Sequence, residues 1–370
     1  MTDAHLIAVV EPLVVEVPMK APTHGVHGTV STQRSALVRV VSDQGAEGWG
    51  NVDPTVGYSE STVAEIVAAV RRLAPALRDA DAFNVHRALA LMDREVAGCS
   101  EAKAAVEMAM FDLTGRVLGV PVTTLLGGRV RDEVHFNAWI GTVPPAQAAR
   151  EADAWATRGF RSAKIKLHGA TDEGVARVAA VREAVGDRLA LRVDFNESLA
   201  LGEAAAFIRR LEPYGLMLVE QPIPRDQVPG LAEIRRGIGI PLMADESVTD
   251  GASLIDIIRR GAADLVKVKL MKQGGFLRTR AMIDCAAAAG LRVVIGHGFG
   301  LTPSTLAEVA MAAVSDAVID GCEAVGPLKM AGDVVREPVR LDTGSLRVSD
   351  LPGLGATVDA DAVARYRVDA

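Results

Sequence analysis

From about residue 134 onward, short apolar runs alternate with longer Ala-rich stretches whose apolar positions recur at helical spacing. Eight such runs predict strands, and the stretches between them predict helices. The predicted strands cover residues 134–142, 162–167, 189–197, 216–222, 241–247, 265–270, 292–299 and 317–325. Apolar strands that alternate with helices are typical of a parallel sheet covered on both faces. We therefore expect an α/β fold with a (β/α)8 TIM-type barrel. An open doubly wound sheet is the alternative, although no glycine-rich dinucleotide motif follows the first strand.

The first 127 residues follow a different pattern, with alternating segments typical of β-hairpins followed by helical stretches. Ser100 is expected to N-cap one of these helices. The domain prediction is an N-terminal α+β capping domain at 1–127, the catalytic barrel at 128–344, and a C-terminal segment at 345–370 that returns to the cap. Two stretches rich in Gly, His, Ser and Thr, at 18–32 and 51–60, are predicted to be flexible lids over the barrel.

The composition excludes several classes of partner. A formal net charge of −7 argues against nucleic acid and anionic membranes, which bind surfaces rich in Lys and Arg, and 4% aromatic residues leave few rings for stacking bases. Three cysteines without CxxC spacing predict neither a disulfide framework nor a zinc site. No leader-like segment is recognisable at the N-terminus. We expect a cytoplasmic enzyme with a small-molecule carboxylate substrate, acting as a homo-oligomer.

Three acidic residues stand at the ends of three successive predicted strands: Asp194, Glu220 and Asp245. In a parallel barrel, the carboxyl ends of the strands meet at one mouth, so the three carboxylates are expected to converge there. Carboxylate oxygens are hard ligands that favour Mg²⁺, with Mn²⁺ as an alternative. As single residues they would more simply cap helices or pair with arginines, but three in succession predict a metal site.

Two Lys-x-Lys pairs flank this trio, Lys164 with Lys166 and Lys267 with Lys269. Alternation along a strand points both lysines of a pair to the same side, here the barrel interior. Strands two and six of an eight-stranded barrel lie opposite each other, which would place Lys166 and Lys269 on two sides of a substrate. A neighbouring ammonium and partial burial disfavour the charged form, so Lys164 is expected to make Lys166 a better base.

The motifs KIK, DFN, EQP, ADES, VKVKLMKQGG and PGLG, with the helical segment AKAAVEMAMFDLTGRVLGVPVTTLLGG, resemble the enolase superfamily. The match is to its mandelate racemase/muconate lactonizing enzyme family, in the muconate-cycloisomerase-like branch. Sites of this superfamily use a lysine or histidine base with Mg²⁺. The resemblance implies that the three carboxylates bind the metal, that Lys166 and Lys269 are the acid/base pair, and that Lys164 tunes Lys166 and contacts the substrate carboxylate.

Further substrate contacts are expected from residues of the lids and strand ends. His297 lies where the mandelate-racemase branch has a catalytic histidine, and it either contacts substrate or only hydrogen-bonds a loop. Gly300 and the Cys322-Glu323-Ala324 sequence differ from the residues usual in N-acylamino-acid racemases and dipeptide epimerases, respectively. His27 is a further lid position. The predicted substrate-binding residues are His24, Asn51, Tyr58, Asn196, Lys267, His297 and Glu323.

The leading hypothesis is a Mg²⁺-dependent isomerase that abstracts the proton α to a carboxylate through a metal-stabilised enediolate. Two opposed lysines fit a racemase or epimerase of an amino-acid-derived or related carboxylate best. A muconate-type cycloisomerase or an acid dehydratase would use the same site. A Schiff-base aldolase using Lys269 is the alternative from another class, and a non-catalytic binding barrel ranks last because it has no need for opposed lysines.

Overall fold

The computed structural model describes residues 4–25, 28–55 and 59–369. Its strands, in chain order, are β1 (Ile7–Gly25), β2 (Gly28–Ser42), β3 (Glu47–Val52), β4 (Glu133–His135), β5 (Asn137–Ile140), β6 (Ser162–Lys166), β7 (Ala190–Asp194), β8 (Leu218–Glu220), β9 (Leu242–Ala244), β10 (Leu265–Val268), β11 (Arg292–Ile295), β12 (Ser345–Arg347) and β13 (Arg367–Val368). Its helices are α1 (Val63–Leu77), α2 (Val85–Glu95), α3 (Ser100–Leu118), α4 (Val122–Leu125), α5 (Pro145–Thr157), α6 (Asp172–Val185), α7 (Leu201–Arg209), α8 (Val228–Gly237), α9 (Gly251–Arg260), α10 (Leu270–Gln273), α11 (Phe276–Ala288), α12 (Thr302–Ala313), α13 (Gly326–Lys329) and α14 (Ala360–Tyr366). Two short 3₁₀ helices cover Gly186–Arg188 and Glu212–Tyr214.

The N-terminal strands form an antiparallel sheet in the order β13-β1-β2-β3, with helix α3 packed on β3. Gly48 and Gly50 in β3 allow this packing, because a Cβ at either position would overlap the backbone of α3 at Ala109 and Ala105. The last strand of the chain, β13, pairs with the middle of β1. The C-terminal segment therefore touches the N-terminal sheet.

The N-terminus of α3 differs from the sequence prediction. Cys99, with φ of 48°, precedes the helix, Ser100 is its first residue, and no side chain caps it. The carbonyl of Cys99 accepts the N–H groups of Ala102 and Lys103 directly. Ser100 as N-cap is therefore wrong, because the left-handed turn at Cys99 places the cap one residue earlier.

Seven of the eight predicted runs form one curled parallel sheet in the order β11-β10-β9-β8-β7-β6-β5, covered by helices. The eighth run, 317–325, is not a continuous strand. It makes two isolated parallel bridges, one at each edge of the sheet. Val318 pairs with Val293 of β11, and Cys322 pairs with Phe136, which directly precedes β5. Between these bridges the chain turns at Asp320 and Gly321, whose carbonyls accept hydrogen bonds from the buried Arg192 guanidinium. That turn explains why the ladder is interrupted.

The two predicted flexible lids are more regular than expected. Residues 18–25 and 28–32 belong to the long β1–β2 hairpin, and Asn51 lies within β3, paired with Leu37. Strand pairing is present at most of these positions, and the role of residues 18–32 and 51–60 as lids stays a prediction.

Candidate active site

Three buried carboxylates lie side by side at the carboxyl ends of adjacent strands. Asp194 is the last residue of β7 and Glu220 the last of β8, and these two residues are paired in the ladder. Asp245 follows β9 directly. All three side chains are at most 3% exposed. The three residues therefore lie along one edge of the parallel sheet, and their convergence on one metal stays a prediction.

Lysine ammonium groups bridge neighbouring carboxylates. Lys164 Nζ is 3.1 Å from Asp194 Oδ2 and 3.1 Å from Glu220 Oε2. Lys267 Nζ is 3.0 Å from Glu220 Oε1 and 3.6 Å from Asp245 Oδ2. Each bridging ammonium therefore contacts two carboxylates of the trio, which compensates the buried negative charge. Within the residues that the structure describes, no group of three or more His, Cys, Asp or Glu side chains is arranged so that it could hold a metal ion.

The pKa values of the carboxylates diverge. Burial raises the pKa of Glu220, and the charge of Asp194 adds to this, to about 7. Burial also opposes ionisation of Asp194, but Lys166 and Lys164 outweigh it and lower the pKa to about 2. For Asp245, burial is likewise outweighed by Lys269 and Lys267, and the pKa lies well below its usual range. The two outer carboxylates are thus easier to ionise than Glu220 between them.

Lys166 and Lys269 pair with those outer carboxylates. Lys166 Nζ donates to Asp194 Oδ2 at 2.6 Å and to Asn196 Oδ1 at 2.5 Å. Lys269 Nζ donates to Asp245 Oδ2 at 2.9 Å. The Lys166 side chain is 31% exposed, whereas that of Lys269 is 10% exposed. The two lysines come from strand ends four positions apart in the sheet, β6 and β10.

Glu323 links the two halves of the sheet. Its Oε2 accepts hydrogen bonds from both Lys164 and Lys267, each at 2.5 Å. Burial opposes its ionisation, but Lys164 and Lys267 keep the pKa of Glu323 well below its ordinary value. Arg192 Nη1 is 3.7 Å from Glu323 Oε1. A single carboxylate oxygen that contacts lysines of β6 and β10 requires a strongly curled sheet.

Several residues of this cluster were missed by sequence reasoning. The buried Gln221 accepts the N–H groups of Asp245 and Ser247 through Oε1, and so fixes the loop that carries Asp245. Lys272 Nζ donates to the carbonyl of Asp245 and lies 3.3 Å from its Oδ1. Glu246 accepts from Asn196 Nδ2 at 3.0 Å. Gln221 and Asn196 have positive φ values of 33° and 42°, which are uncommon outside glycine and cluster at functional sites. The only sequence signal was their position beside the predicted ligands.

His297 and Asn51 belong to a contact between the N-terminal sheet and the parallel sheet. His297 Nε2 lies 2.7 Å from the carbonyl oxygen of Asp53, where it donates a hydrogen bond. The buried Asp53 side chain accepts from Ser35, Ser304 and Asn51, the last at 3.2 Å. The contact observed for His297 is thus a hydrogen bond to the chain just after β3. Asn51 is fully buried beneath it.

Three predicted lid residues remain, His24, His27 and Tyr58. The backbone of His24 lies in β1, paired with Thr29, and its side chain is not described. His27 and Tyr58 lie outside the described residues. Among the helices that the structure describes, none combines the length and apolar character needed to cross a bilayer.

Acidification is expected to destabilise the protein partly through His297. Burial, reinforced by the charge of Lys269, lowers its pKa to about 3. Between about pH 6.5 and pH 3 the unfolded imidazole binds a proton that the folded one refuses, so stability present at neutral pH is lost as the pH falls. Thermal melts from pH 7 to pH 4 should show a smaller loss for His297→Gln than for the parent. The exposed His168→Gln is the control, and equal pH slopes for His297→Gln and the parent would contradict the assignment.

Two family models cover most of the chain. Residues 9–127 match the mandelate racemase/muconate lactonizing enzyme N-terminal domain, and residues 147–362 match the enolase C-terminal domain-like model. The chain belongs to the mandelate racemase/muconate lactonizing enzyme family of the enolase superfamily. This confirms the resemblance drawn from the sequence motifs.

Relatives within this family differ in the reaction they catalyse. Muconate cycloisomerase 1 of Rhodococcus opacus is 32% identical over 98% of this chain and 98% of its own length. The N-succinyl-L-Arg/Lys racemase of Bacillus cereus is 31% identical over 100% of this chain and 98% of its own. These relatives are isomerases, and this chain is an enzyme of the isomerase class.

Solved structures of family members superpose closely. The muconate lactonizing enzyme of Pseudomonas fluorescens, complexed with muconolactone, has a TM-score of 0.94 at 31% identity, covering 99% of this chain and 100% of that one. The dipeptide epimerase of Enterococcus faecalis, complexed with Mg and the dipeptide L-Leu-L-Tyr, has a TM-score of 0.91 at 27% identity, covering 95% and 99%. The mixed α/β fold with a curled parallel sheet and a strand-rich N-terminal part is therefore that of the family.

Proposed function

We propose that this protein is a Mg²⁺-dependent isomerase that moves the proton α to a substrate carboxylate, acting as a racemase or epimerase of an amino-acid-derived carboxylate. The observation that carries the proposal is the placement of two lysines. Lys166 and Lys269 each pair with a different outer carboxylate of the trio, one from the end of β6 and one from the end of β10. A site with a base at each side is what inversion of a carbon centre requires.

The proposal includes the architecture that would hold these lysines. The parallel sheet closes into a (β/α)8 barrel through residues 317–325, with a cap at 1–127, the barrel at 128–344, and 345–370 returning to the cap. Hydrogen bonds from this segment to both edge strands support closure, among them Glu323 N–H to the Ile295 carbonyl and Asn137 N–H to the Cys322 carbonyl. Closure would place Lys166 and Lys269 across one mouth.

Asp194, Glu220 and Asp245 would hold the Mg²⁺. Their chemistry fits Mg²⁺, because they are buried and provide only oxygen ligands. The charge of Asp194 helps to raise the pKa of Glu220, which shows that the two carboxylates repel each other. A cation between them would relieve that repulsion. Lysine side chains are flexible, so Lys164 and Lys267 can shift to admit a cation. When bound, Mg²⁺ would supply positive charge beside the substrate carboxylate and so lower the cost of a second negative charge on it.

The lysines would perform the proton transfer. Lys166 or Lys269, in its neutral form, removes the α proton from one face, and the other lysine, as an ammonium, returns a proton to the opposite face. Asn196 and Asp194 orient the Lys166 ammonium, and Asp245 orients that of Lys269. Burial opposes the charged form of Lys164 and Lys267, but the charges of Glu220 and Glu323 outweigh it and hold the pKa of each lysine above its ordinary value. These two would therefore bind the substrate carboxylate and not act as bases.

A muconate-type cycloisomerase is the second candidate. It is favoured by the 32% identity to muconate cycloisomerase 1 and by the TM-score of 0.94 to a muconate lactonizing enzyme. That reaction needs one lysine for proton transfer, so the second would serve as a fixed cation. A Schiff-base aldolase has no support among the relatives compared.

Proton exchange in D₂O tests the proposal. Acyl-amino acids, dipeptides, hydroxy acids, betaines and muconates are incubated separately with enzyme and Mg²⁺, and deuterium at the α-carbon is followed by NMR. We expect exchange for at least one acyl-amino acid or dipeptide, abolished by chelator and restored by Mg²⁺. Lactone formation from muconate without exchange of amino-acid derivatives would select the cycloisomerase, and no reaction in any class would refute the proposal. Borohydride trapping of an imine would favour the aldolase instead.

A further inference from the structure

Lys329 is a lysine of the candidate site that the proposed chemistry does not use. It is the last residue of α13, directly after the segment that contacts both edges of the parallel sheet. Its Nζ lies 4.7 Å from the centre of the Trp139 ring and 4.3 Å from that of Phe299. Trp139 belongs to β5 and Phe299 follows β11, so the two rings come from opposite edges of the sheet. The ammonium is thus held between two aromatic rings at the carboxyl ends of the strands.

Two rings hold the ammonium without neutralising it. Both distances lie within the range of about 6 Å in which the face of an aromatic ring attracts a cation. Among the described residues, no carboxylate forms an ion pair with Lys329, whereas Lys164, Lys166, Lys267 and Lys269 each have at least one. Among the described residues the Lys329 ammonium donates no hydrogen bond to a protein acceptor, so its N–H groups can bind an oxygen ligand.

The electrostatic surroundings favour an anion at this point. Burial, together with the positive charges of Lys166 and Lys164, lowers the pKa of Lys329 to about 7. Trp139 lies near the carboxyl end of β5 and Phe299 follows that of β11, so the ammonium between their rings lies on the same side of the sheet as Lys166 and Lys164. A negative group beside Lys329 would relieve the repulsion among the three lysines, whereas a cationic group would increase it.

The position also lies where the N-terminal hairpin meets the parallel sheet. Lys20 of β1 donates to the carbonyl of Pro327 at 3.1 Å. The N–H of Ala331 donates to the carbonyl of Pro18, also in β1. A substrate bound by its α-carboxylate near Glu220 would extend its far end toward this seam. Lys329 stands there with its position fixed by the rings and by the chain on either side of it.

We propose that Lys329 binds a second anionic group, a carboxylate at the far end of the substrate, and so selects dianionic substrates over those with a neutral tail. The inference rests on the proposed function, since it assumes that the α-carboxylate occupies the site of the carboxylate trio. It narrows the substrate class to acyl-amino acids or related acids with two carboxylates. Lys329 is a specificity-determining residue in this scheme and takes no part in proton transfer.

The test compares two ligands that differ in one carboxylate. N-succinyl-leucine and N-butyryl-leucine have acyl chains of the same length, and only the first ends in a carboxylate. Their dissociation constants are measured by calorimetry with Mg²⁺ present for the parent, Lys329→Met and Lys329→Gln. We expect the parent to prefer the succinyl compound, and each variant to reduce that preference by roughly 10- to 100-fold, the value of a hydrogen bond to a charged group. Lys20→Met, which removes an exposed ammonium from the same seam, should retain the preference.

Failure of this inference can be told apart from failure of the proposed function. Deuterium exchange of both compounds is measured in parallel, and it reports only on proton transfer. A parent without a preference, including one that binds neither compound, overturns the inference, as does a preference that survives in both Lys329 variants. Absence of exchange in these compounds and in every other class tested, together with a preference that depends on Lys329, would refute the function and retain the binding site.

Discussion

Lys166→Ala is expected to stop deuterium exchange from one enantiomer of the substrate, and Lys269→Ala is expected to stop it from the other. Each change should abolish net racemisation, because inversion needs a base on one face and an acid on the other. Loss of a positioned general acid or base typically costs about 10²- to 10⁴-fold in rate. Each enantiomer is incubated separately in D₂O, and exchange is read before net turnover, because turnover alone cannot separate a lost base from a lost electrostatic contact.

Arginine at the same positions provides the matched control. Lys166→Arg and Lys269→Arg keep the positive charge beside Asp194 and Asp245, but a guanidinium stays protonated and cannot act as a base. If the lysines act only as fixed cations, the arginine variants should recover much of the activity that alanine removes. If they transfer protons, arginine should be nearly as inactive as alanine. Full racemisation by Lys269→Ala would disprove the two-base mechanism and leave Lys166 as the single base.

The sequence predicted the part of the site that follows from strand ends. Asp194, Glu220 and Asp245 each end or follow a short apolar run, and strands of a parallel sheet bring their carboxyl ends together whatever the details of packing. The alternation of Lys164 with Lys166 and of Lys267 with Lys269 likewise fixed the side on which they lie. These inferences depend only on the period of the strand and on the order of the elements.

Contacts between residues distant in sequence could not be predicted in the same way. The placement of Lys329 between Trp139 and Phe299 joins three segments, and no local pattern marks it. The turn at Asp320 and Gly321 interrupts the eighth run. It forms around the guanidinium of Arg192, which precedes Asp320 by 128 residues. Asn51 was assigned to a lid as the first residue of the stretch 51–60, but it lies in β3, directly after the glycines that allow α3 to approach this strand. Local composition predicted flexibility where tertiary packing required small residues.

Replacement of any one metal-site carboxylate by its amide is expected to reduce activity by at least about 100-fold and to weaken Mg²⁺ binding. Each change removes one anionic ligand from a hard cation, and the charge of that cation is worth several kcal/mol to the reaction. The variants are Asp194→Asn, Glu220→Gln and Asp245→Asn. Calorimetric titration with Mg²⁺ measures affinity independently of turnover. Asp256→Asn, an exposed carboxylate paired with Arg260, is the control.

The same substitutions also leave lysines unpaired, so stability and metal binding must be measured separately. Glu220→Gln removes the carboxylate that Lys164 and Lys267 share, and loss of one partner from a buried ion pair costs about 3–5 kcal/mol. Glu220→Gln should therefore melt at a lower temperature than the parent even without Mg²⁺, and Mg²⁺ should raise that temperature less than it does for the parent. A purely structural role for the trio predicts the first effect alone. Unchanged Mg²⁺ affinity in all three amide variants would refute the metal assignment. The ion pairs with lysines would then be the reason why these carboxylates are buried.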